Sequence, residues 1–357
     1  MILVHEWGHF FVARKLGIRV EEFSIGFGPK IVSRLYQGIR YSLRAIPLGG
    51  FVKIFGERGE GEEFPDSFAS RPIWQRALVL GSGVIMNLVL AWVLFTGSAA
   101  LGIPVIDEAS KEGHPVSVVE ILPGSPAEQA GIRFGDMILE MRREQVSLRI
   151  ESEKDVRDFD DAYRGEEVTL LIKRGSKIFE LQAVPRVNFP EGEGPLGVRL
   201  SRFAVLQVKW YLSPIEGFRV LWLVLSGTVA GLGSLLKQIF TQGPQNIPVS
   251  GPVGIFFFAY DVSVLGLVYF LRFLGIISAS LAILNILPIP VLDGGWIFFL
   301  IIEKIKGSRV SKKMEQIALT AGVFFLSFIM IFATYQDILK NKGRIWESIT
   351  KSVDEIL

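Results

Sequence analysis

Met1-Ile2-Leu3-Val4-His5-Glu6-Trp7-Gly8-His9-Phe10-Phe11-Val12-Ala13 opens the chain and sets two imidazoles and a carboxylate into an apolar run. On a helix, residues four apart share a face, so His5 and His9 can grip one cation. Glu6, beside the first of them, is placed to act as a base on water. This is the His-Glu-x-x-His arrangement of zinc hydrolases. A second reading makes the same residues a satisfied polar patch on a helix. Ionisable side chains are costly inside a membrane, and there they mark function.

Whether that surrounding is a membrane is decided by the rest of the chain. Of 357 residues, 50% are hydrophobic and the mean hydropathy is +0.40, with the excess carried in long apolar runs. That pattern indicates a multi-pass α-helical membrane protein. A formal net charge of +2, with no basic cluster interleaved with aromatics, gives no ground for a nucleic-acid partner. The sequence has no cysteine, which excludes disulfides, thiolate nucleophiles and cysteine metal sites together. A protein-held metal must therefore use imidazole and carboxylate.

The first helix is expected over Met1–Leu16. At roughly 1.5 Å per residue it falls short of a roughly 30 Å hydrocarbon core. The expectation is that its start lies upstream of Met1. Residues 18–72 are polar and rich in turn signals. Ile39, Tyr41, Leu43 and Ala45 alternate with Arg40, Ser42 and Arg44, which predicts a strand. Pro47 and Gly49-Gly50 then mark a turn, with a second strand from Phe51. This Gly38–Ile54 hairpin is expected to associate with the membrane.

Ala77 to about Leu101 is long enough to span, with Asn87 as its one strongly polar side chain. Asn87 reads equally as interhelical hydrogen-bonding glue or as a residue of the site. Residues 104–202 turn soluble, with short alternating strands, a helix near Ala127–Ala130, a charged helix over Lys154–Tyr163, and strands at Val168–Lys173 and Ile178–Val184. His114 there is expected at the surface. Pro214–Phe240 reads as a span or as an amphipathic elbow in the interface. Leu265–Leu287 and Ile317–Thr334 are clearer spans. The domains are therefore an N-terminal membrane part over 1–103, a soluble insert over 104–202 and a C-terminal membrane part over 203–357. Basic residues follow the first helix and recur at Lys304, Lys306, Arg309, Lys312 and Lys313, whereas 104–202 leans acidic. The positive-inside rule puts both basic loops in the cytoplasm and the insert outside.

A catalytic zinc takes three protein ligands and leaves one position open. His5 and His9 supply two. Asp293, in irregular Pro- and Gly-rich sequence at the end of an apolar run, is the candidate third. Non-helical backbone at membrane depth is tolerated where it lines a protein-enclosed or watery cavity. Asp293 has a second reading as the cap of a helix starting at Gly294. Glu6 is the candidate general base.

These residues carry a resemblance. The chain resembles the site-2 proteases, intramembrane zinc metalloproteases, and within them the bacterial branch typified by the regulator-of-sigma-E protease. The matching stretches are His5–His9, Gly26-Phe27-Gly28-Pro29, Pro47-Leu48-Gly49-Gly50-Phe51-Val52-Lys53, Asn87, Ser250–Gly254 and Asn285–Gly295. The resemblance implies Zn2+ held by His5, His9 and Asp293, catalysis by Glu6, and substrate positioning by Asn285. It also implies that 104–202 is a PDZ-like α+β domain. Leu196, Gly197 and Val198 then lie in its peptide-binding loop, a stretch that otherwise reads as an ordinary hairpin.

The location implied is the bacterial cytoplasmic membrane, among lipid, with a single-pass membrane protein as substrate. A substrate helix hides its peptide bonds and must unwind before attack. The Gly38–Ile54 hairpin, with Gly49 and Gly50 at its turn, is the candidate edge for holding the unwound stretch. The rival readings are a non-catalytic PDZ-bearing membrane scaffold and an intramembrane zinc carrier or sensor.

Overall fold

The computed structural model describes residues 1–57, 59–106, 116–122, 124–175, 177–190, 193–206, 208–242 and 251–340. In chain order the elements are α1 (Ile2–Lys15), β1 (Val20–Tyr36), β2 (Ile39–Ile54), α2 (Ile73–Leu101), β3 (Ile103–Ile106) and β4 (Val116–Ile121). There follow α3 (Pro126–Gln129), β5 (Met137–Arg143), β6 (Val146–Arg149), α4 (Glu153–Ala162), β7 (Val168–Arg174), β8 (Lys177–Ala183) and β9 (Val198–Leu206). The remaining helices are α5 (Ser213–Gln242), α6 (Pro252–Leu265), α7 (Leu267–Ile286), α8 (Asp293–Lys306) and α9 (Lys312–Lys340). His114 and Ser250 lie outside the described residues.

Among the described residues four helical stretches are long and apolar enough to cross a membrane: Ile73–Leu101, Trp210–Leu235, Leu267–Ile286 and Lys312–Leu339. The chain divides into two compact units. The first comprises Met1–Phe95, Gly217–Val253 and Leu274–Leu357. Its small sheet is built from only two strands. Gln37 and Gly38, both with positive φ, make the two-residue reversal between them, the backbone that a tight hairpin needs.

Each strand also bends at its glycines, so the pairings form four rungs in the order 30–36, 39–46, 20–27 and 50–54. Gly26 (φ 86°) and Gly49 (φ 96°) stand at these bends, in a region that side chains disfavour. This corrects the expectation of a separate strand from Phe51. Pro47–Gly50 is a bend inside β2 that carries the chain from one side of β1 to the other. The core beneath joins Ala13 of α1, Val20, Ile39 and Val52 of the sheet, Val79 and Leu80 of α2, and Leu300 of α8.

The span expected over Leu265–Leu287 is α7, 20 residues long and apolar enough to cross a membrane. Gly266, at φ +115°, separates it from α6, a shorter apolar helix that the sequence reading did not include. By contrast α5 runs unbroken through Gly227, Gly231 and Gly233.

The second unit, Thr96–Glu216 with Gly254–Phe273, contains a sheet in the order β3-β9-β4-β5-β7-β8, with β6 on β5. Val116, Val118, Ile138, Leu170 and Ile172 are its fully buried centre, with Val156 and Phe159 of α4 against them. α4 begins in a reciprocal capping box between Ser152 and Asp155. Asp136, wholly buried, takes a two-pronged bond from Arg174 at 2.7 and 2.6 Å.

Asp160 is the unpaired exception. It is 3% exposed, and its Oδ1 has no hydrogen-bond partner among the described residues. Burial, with the Asp161 charge beside it, pushes its carboxyl up to about 8. The folded unit therefore holds a neutral acid where the unfolded chain holds an anion. Stability is fully present below about pH 4, the ordinary carboxylate range, and is lost as pH climbs toward 8. Asp160→Asn removes that dependence. Its unfolding midpoint should exceed wild type by at least about 4 °C at pH 8.5 and match it near pH 4. Equal midpoints at both pH values would show that Asp160 is charged in the fold.

Candidate metal centre

α1 brings His5, Glu6 and His9 to one region of the first unit, as their spacing requires. His9 Nδ1 lies 2.8 Å from the Val79 carbonyl of α2. A carbonyl only accepts, so Nδ1 carries the proton and Nε2 presents its lone pair to the interior. His5 Nε2 lies 3.2 Å from His9 Nε2, and its Nδ1 faces the Asn87 side chain at 3.4 Å. Both histidines are under 10% exposed.

The third member arrives from the other end of the chain. Asp293 is the first residue of α8, and Leu292 occupies the N-cap, so Asp293 does not cap a helix starting at Gly294. Its Oδ2 lies 3.0 Å from His5 Nε2 and 3.5 Å from His9 Nε2. Yet Oδ2 is buried with no hydrogen-bond partner among the described residues. One candidate ligand atom from each residue falls within 4.8 Å of the others.

Two nitrogens and a carboxylate oxygen thus face one another at contact distance. Such a set is repulsive unless a proton or a metal cation stands between its members. Tetrahedral bonds of about 2.0–2.1 Å require about 3.3 Å between donor atoms, and the observed separations are 3.0, 3.2 and 3.5 Å. The donor set therefore fits a metal of the zinc type.

Glu6 stands outside this triangle. Its Oε2 accepts the Val52 N–H at 3.0 Å, which fixes it beside the 50–54 rung of the sheet. Glu6, His9 and Asp293 line one cleft of about 600 Å3, walled by Phe51, Val52 and Trp296. Val291, two residues before Asp293, also lines it at φ 101°. A β-branched residue at positive φ is a strained position, of the kind that clusters at functional sites.

Sequence reading missed the closest approach. A Cβ on Gly83 of α2 would overlap His9 Nε2 and stand 2.5 Å from His5 Cε1. One on Gly8 would stand 2.6 Å from the Ser82 carbonyl. Small residues let helices approach this closely, and Gly81-Ser82-Gly83 inside an apolar span was the available signal.

Of the other expected residues in the first unit, none belongs to the donor triangle. Gly50 packs against the Ser24 carbonyl and Leu3, and Gly49 against the Phe27 ring. Asn285 is half-buried in the last turn of α7 and makes no hydrogen bond to the cluster among the described residues. In the second unit Leu196 is 1% exposed within the sheet core. Gly197 donates its N–H to the Gly194 carbonyl, and Val198 pairs with Ile121.

Apolar helices of spanning length, with a buried two-histidine, one-carboxylate cluster and a further glutamate beside it, define a membrane-embedded metal-dependent hydrolase. The model of peptidase family M50 matches residues 1–329, and the chain belongs to that family. It is a membrane metalloprotease. A protein of Clostridium perfringens named "Putative zinc metalloprotease" is 35% identical over 342 residues, covering 95% of each chain. The "Membrane metalloprotease ARASP, chloroplastic" of Arabidopsis thaliana is 31% identical over 349 residues, 95% of this chain and 76% of its own. A Nostoc protein with a name of the first kind is 32% identical over 348 residues, 93% of this chain and 91% of its own.

Proposed function

We propose that this chain is a zinc endopeptidase that cuts single-pass membrane proteins within or near their transmembrane helices. The observation that carries the reading is the convergence of His5, His9 and Asp293, with Glu6 oriented toward the same cleft. His5, His9 and Asp293 hold the metal. Zinc bound there supplies a lowered water pKa and polarises the scissile carbonyl.

The protein's own groups do the rest. Glu6 takes a proton from the attacking water and delivers it to the leaving amine. The Val79 carbonyl keeps the His9 proton on Nδ1. Asn87 does the same for His5 when its amide turns Oδ1 toward Nδ1. The two amide orientations are isosteric, and Oδ1 has no other partner among the described residues. Asn87 is thus both glue and site residue. Its backbone carbonyl also takes a hydrogen bond from the Ser278 hydroxyl of α7 at 2.8 Å.

Among the described residues the 50–54 rung pairs with β1 on one side only, and Val52 N–H faces the cleft. An unwound substrate segment adds to that edge, so an extended strand is presented to Glu6. Asn285, Gly49 and Gly50 act in positioning it. The 104–202 region is read as a PDZ-like domain outside the cytoplasm, with Leu196–Val198 in its ligand loop. Membrane parts over 1–103 and 203–357 flank it, in a bacterial inner membrane. Regulated proteolysis of anti-sigma factors or signal-peptide remnants is the setting this implies.

The test is cleavage of a tagged single-span substrate, truncated on its outer side, by the purified chain. Cleavage inside the span with about one zinc per chain, abolished by chelation and restored by zinc, is expected. Stoichiometric zinc with no cleavage of any span would instead favour a metal carrier. Substrate helicity should also matter, because Gly and Ser weaken a helix that Leu strengthens. Uniformly Leu-rich spans should be cut at least about tenfold more slowly, the equivalent of some 1.4 kcal/mol of unwinding cost. Equal rates would remove the unwinding step from the mechanism.

A further inference from the structure

The contacts between α2 and α8 run in opposite order along the two helices. At one end Asp293 of α8 reaches the histidines that pack on Val79 and Gly83 of α2. In the middle Leu80 meets the cluster containing Leu300, Trp296 and Ile297. At the far end Arg76 donates from both terminal nitrogens to Glu303, at 3.0 and 2.6 Å. Arg76 is 6% exposed, and its Nε is held by the Arg71 carbonyl at 3.0 Å.

The apolar middle of this seam fills space but does not fix axial position, since such contacts are non-directional. A two-pronged guanidinium–carboxylate pair does fix it. One residue of slip along α8 moves Asp293 by about 1.5 Å, which is half its present distance from His5.

We infer that the Arg76–Glu303 pair is a positioning clamp, setting α8 on α2 so that the Asp293 carboxylate stands level with the histidines. Neither residue touches the donor triangle; they act through the helices that carry it. Arg309 backs the clamp. Its Nε lies 3.7 Å from Glu303, while its terminal nitrogens engage Glu62 and the Ala69 carbonyl. The α8–α9 turn is thereby tied to the loop after β2. The inference rests on the metal-centre reading above.

The experiment measures zinc affinity by chelator competition, and hydrogen exchange at 293–297 in the metal-free protein. It uses the full chain in detergent, as wild type, Glu303→Gln, Glu303→Asp and the double variant Arg76→Met/Glu303→Met. Each single variant should bind zinc about tenfold more weakly and exchange faster at the start of α8. Paired apolar replacements of similar volume often recover stability. The double variant should therefore regain the wild-type unfolding midpoint while its zinc affinity stays low. A merely structural pair would recover both.

Wild-type affinity and exchange in Glu303→Gln and Glu303→Asp, with zinc bound by the wild type, would overturn the clamp alone. A wild-type chain that takes up no zinc would overturn the metal reading and the clamp with it.

Discussion

Glu6→Gln is expected to cut turnover by about 10^3-fold, within the usual range for removing a general acid–base group, while zinc content and substrate capture stay at wild-type levels. The separation follows from geometry. The donor triangle is complete without Glu6, whose Oε2 instead meets the Val52 N–H at 3.0 Å. A glutamine is isosteric, and its carbonyl oxygen can accept the same bond, so the 50–54 rung keeps its place. What disappears is basicity, and with it the proton route from water to leaving amine. The same variant divides the rival readings. A scaffold that works by display retains full activity in Glu6→Gln, because display needs no proton transfer. Single-turnover cleavage of the truncated substrate, with zinc measured on the same sample, checks the result. Loss of zinc in parallel with activity would make Glu6 a ligand and break the assignment of roles.

Much of this site was legible because lipid penalises what it is made of. His5, Glu6 and His9 in one apolar run, and Asp293 at the end of another, are high-contrast signals against the apolar sequence around them. Their pairing followed from the need for a third donor in a protein without cysteine. Elements bounded by a change in polarity were equally visible, as α4 and the β7–β8 hairpin illustrate.

Where contrast is lacking, reading failed. α6, apolar like α7 and parted from it only by Gly266, was not read as a helix of its own. The bend at Gly49 looked like the end of a strand because a chain reversal and a change of neighbour use the same residues. Asp160 is one of four acids among Asp155, Asp158, Asp160 and Asp161, and only packing shows which is buried. Val52 and Val79 act through backbone atoms, which no side-chain pattern advertises. Arg76 and Glu303 stand 227 residues apart, and no local pattern pairs them.

Gly83→Ala should weaken zinc binding by at least about tenfold, the scale of effect seen when a ligand's support is disturbed, whereas Gly81→Ala in the same helix should leave it unchanged. Among the described residues nothing lies within 4 Å of a Cβ at Gly81. There the substitution only replaces a poor helix former by the best, a gain of roughly 0.5–1 kcal/mol. At Gly83 the added carbon meets both imidazoles, overlapping His9 Nε2 and standing 2.7 Å from His5 Nε2, far inside van der Waals contact. The rings have no easy retreat. His9 is tethered by Nδ1 to Val79, His5 faces Asn87, and α1 already touches α2 through Gly8. Relief must come from α1 moving away, which separates both nitrogens from Asp293 on α8. Because the clash is with the ligand atoms and not with the helix core, the chain should still fold, and its unfolding midpoint without metal should stay near that of Gly81→Ala. Chelator competition on the two alanine variants compares them directly. Wild-type zinc affinity in Gly83→Ala would mean that the histidines do not meet the metal on the face where α2 approaches them.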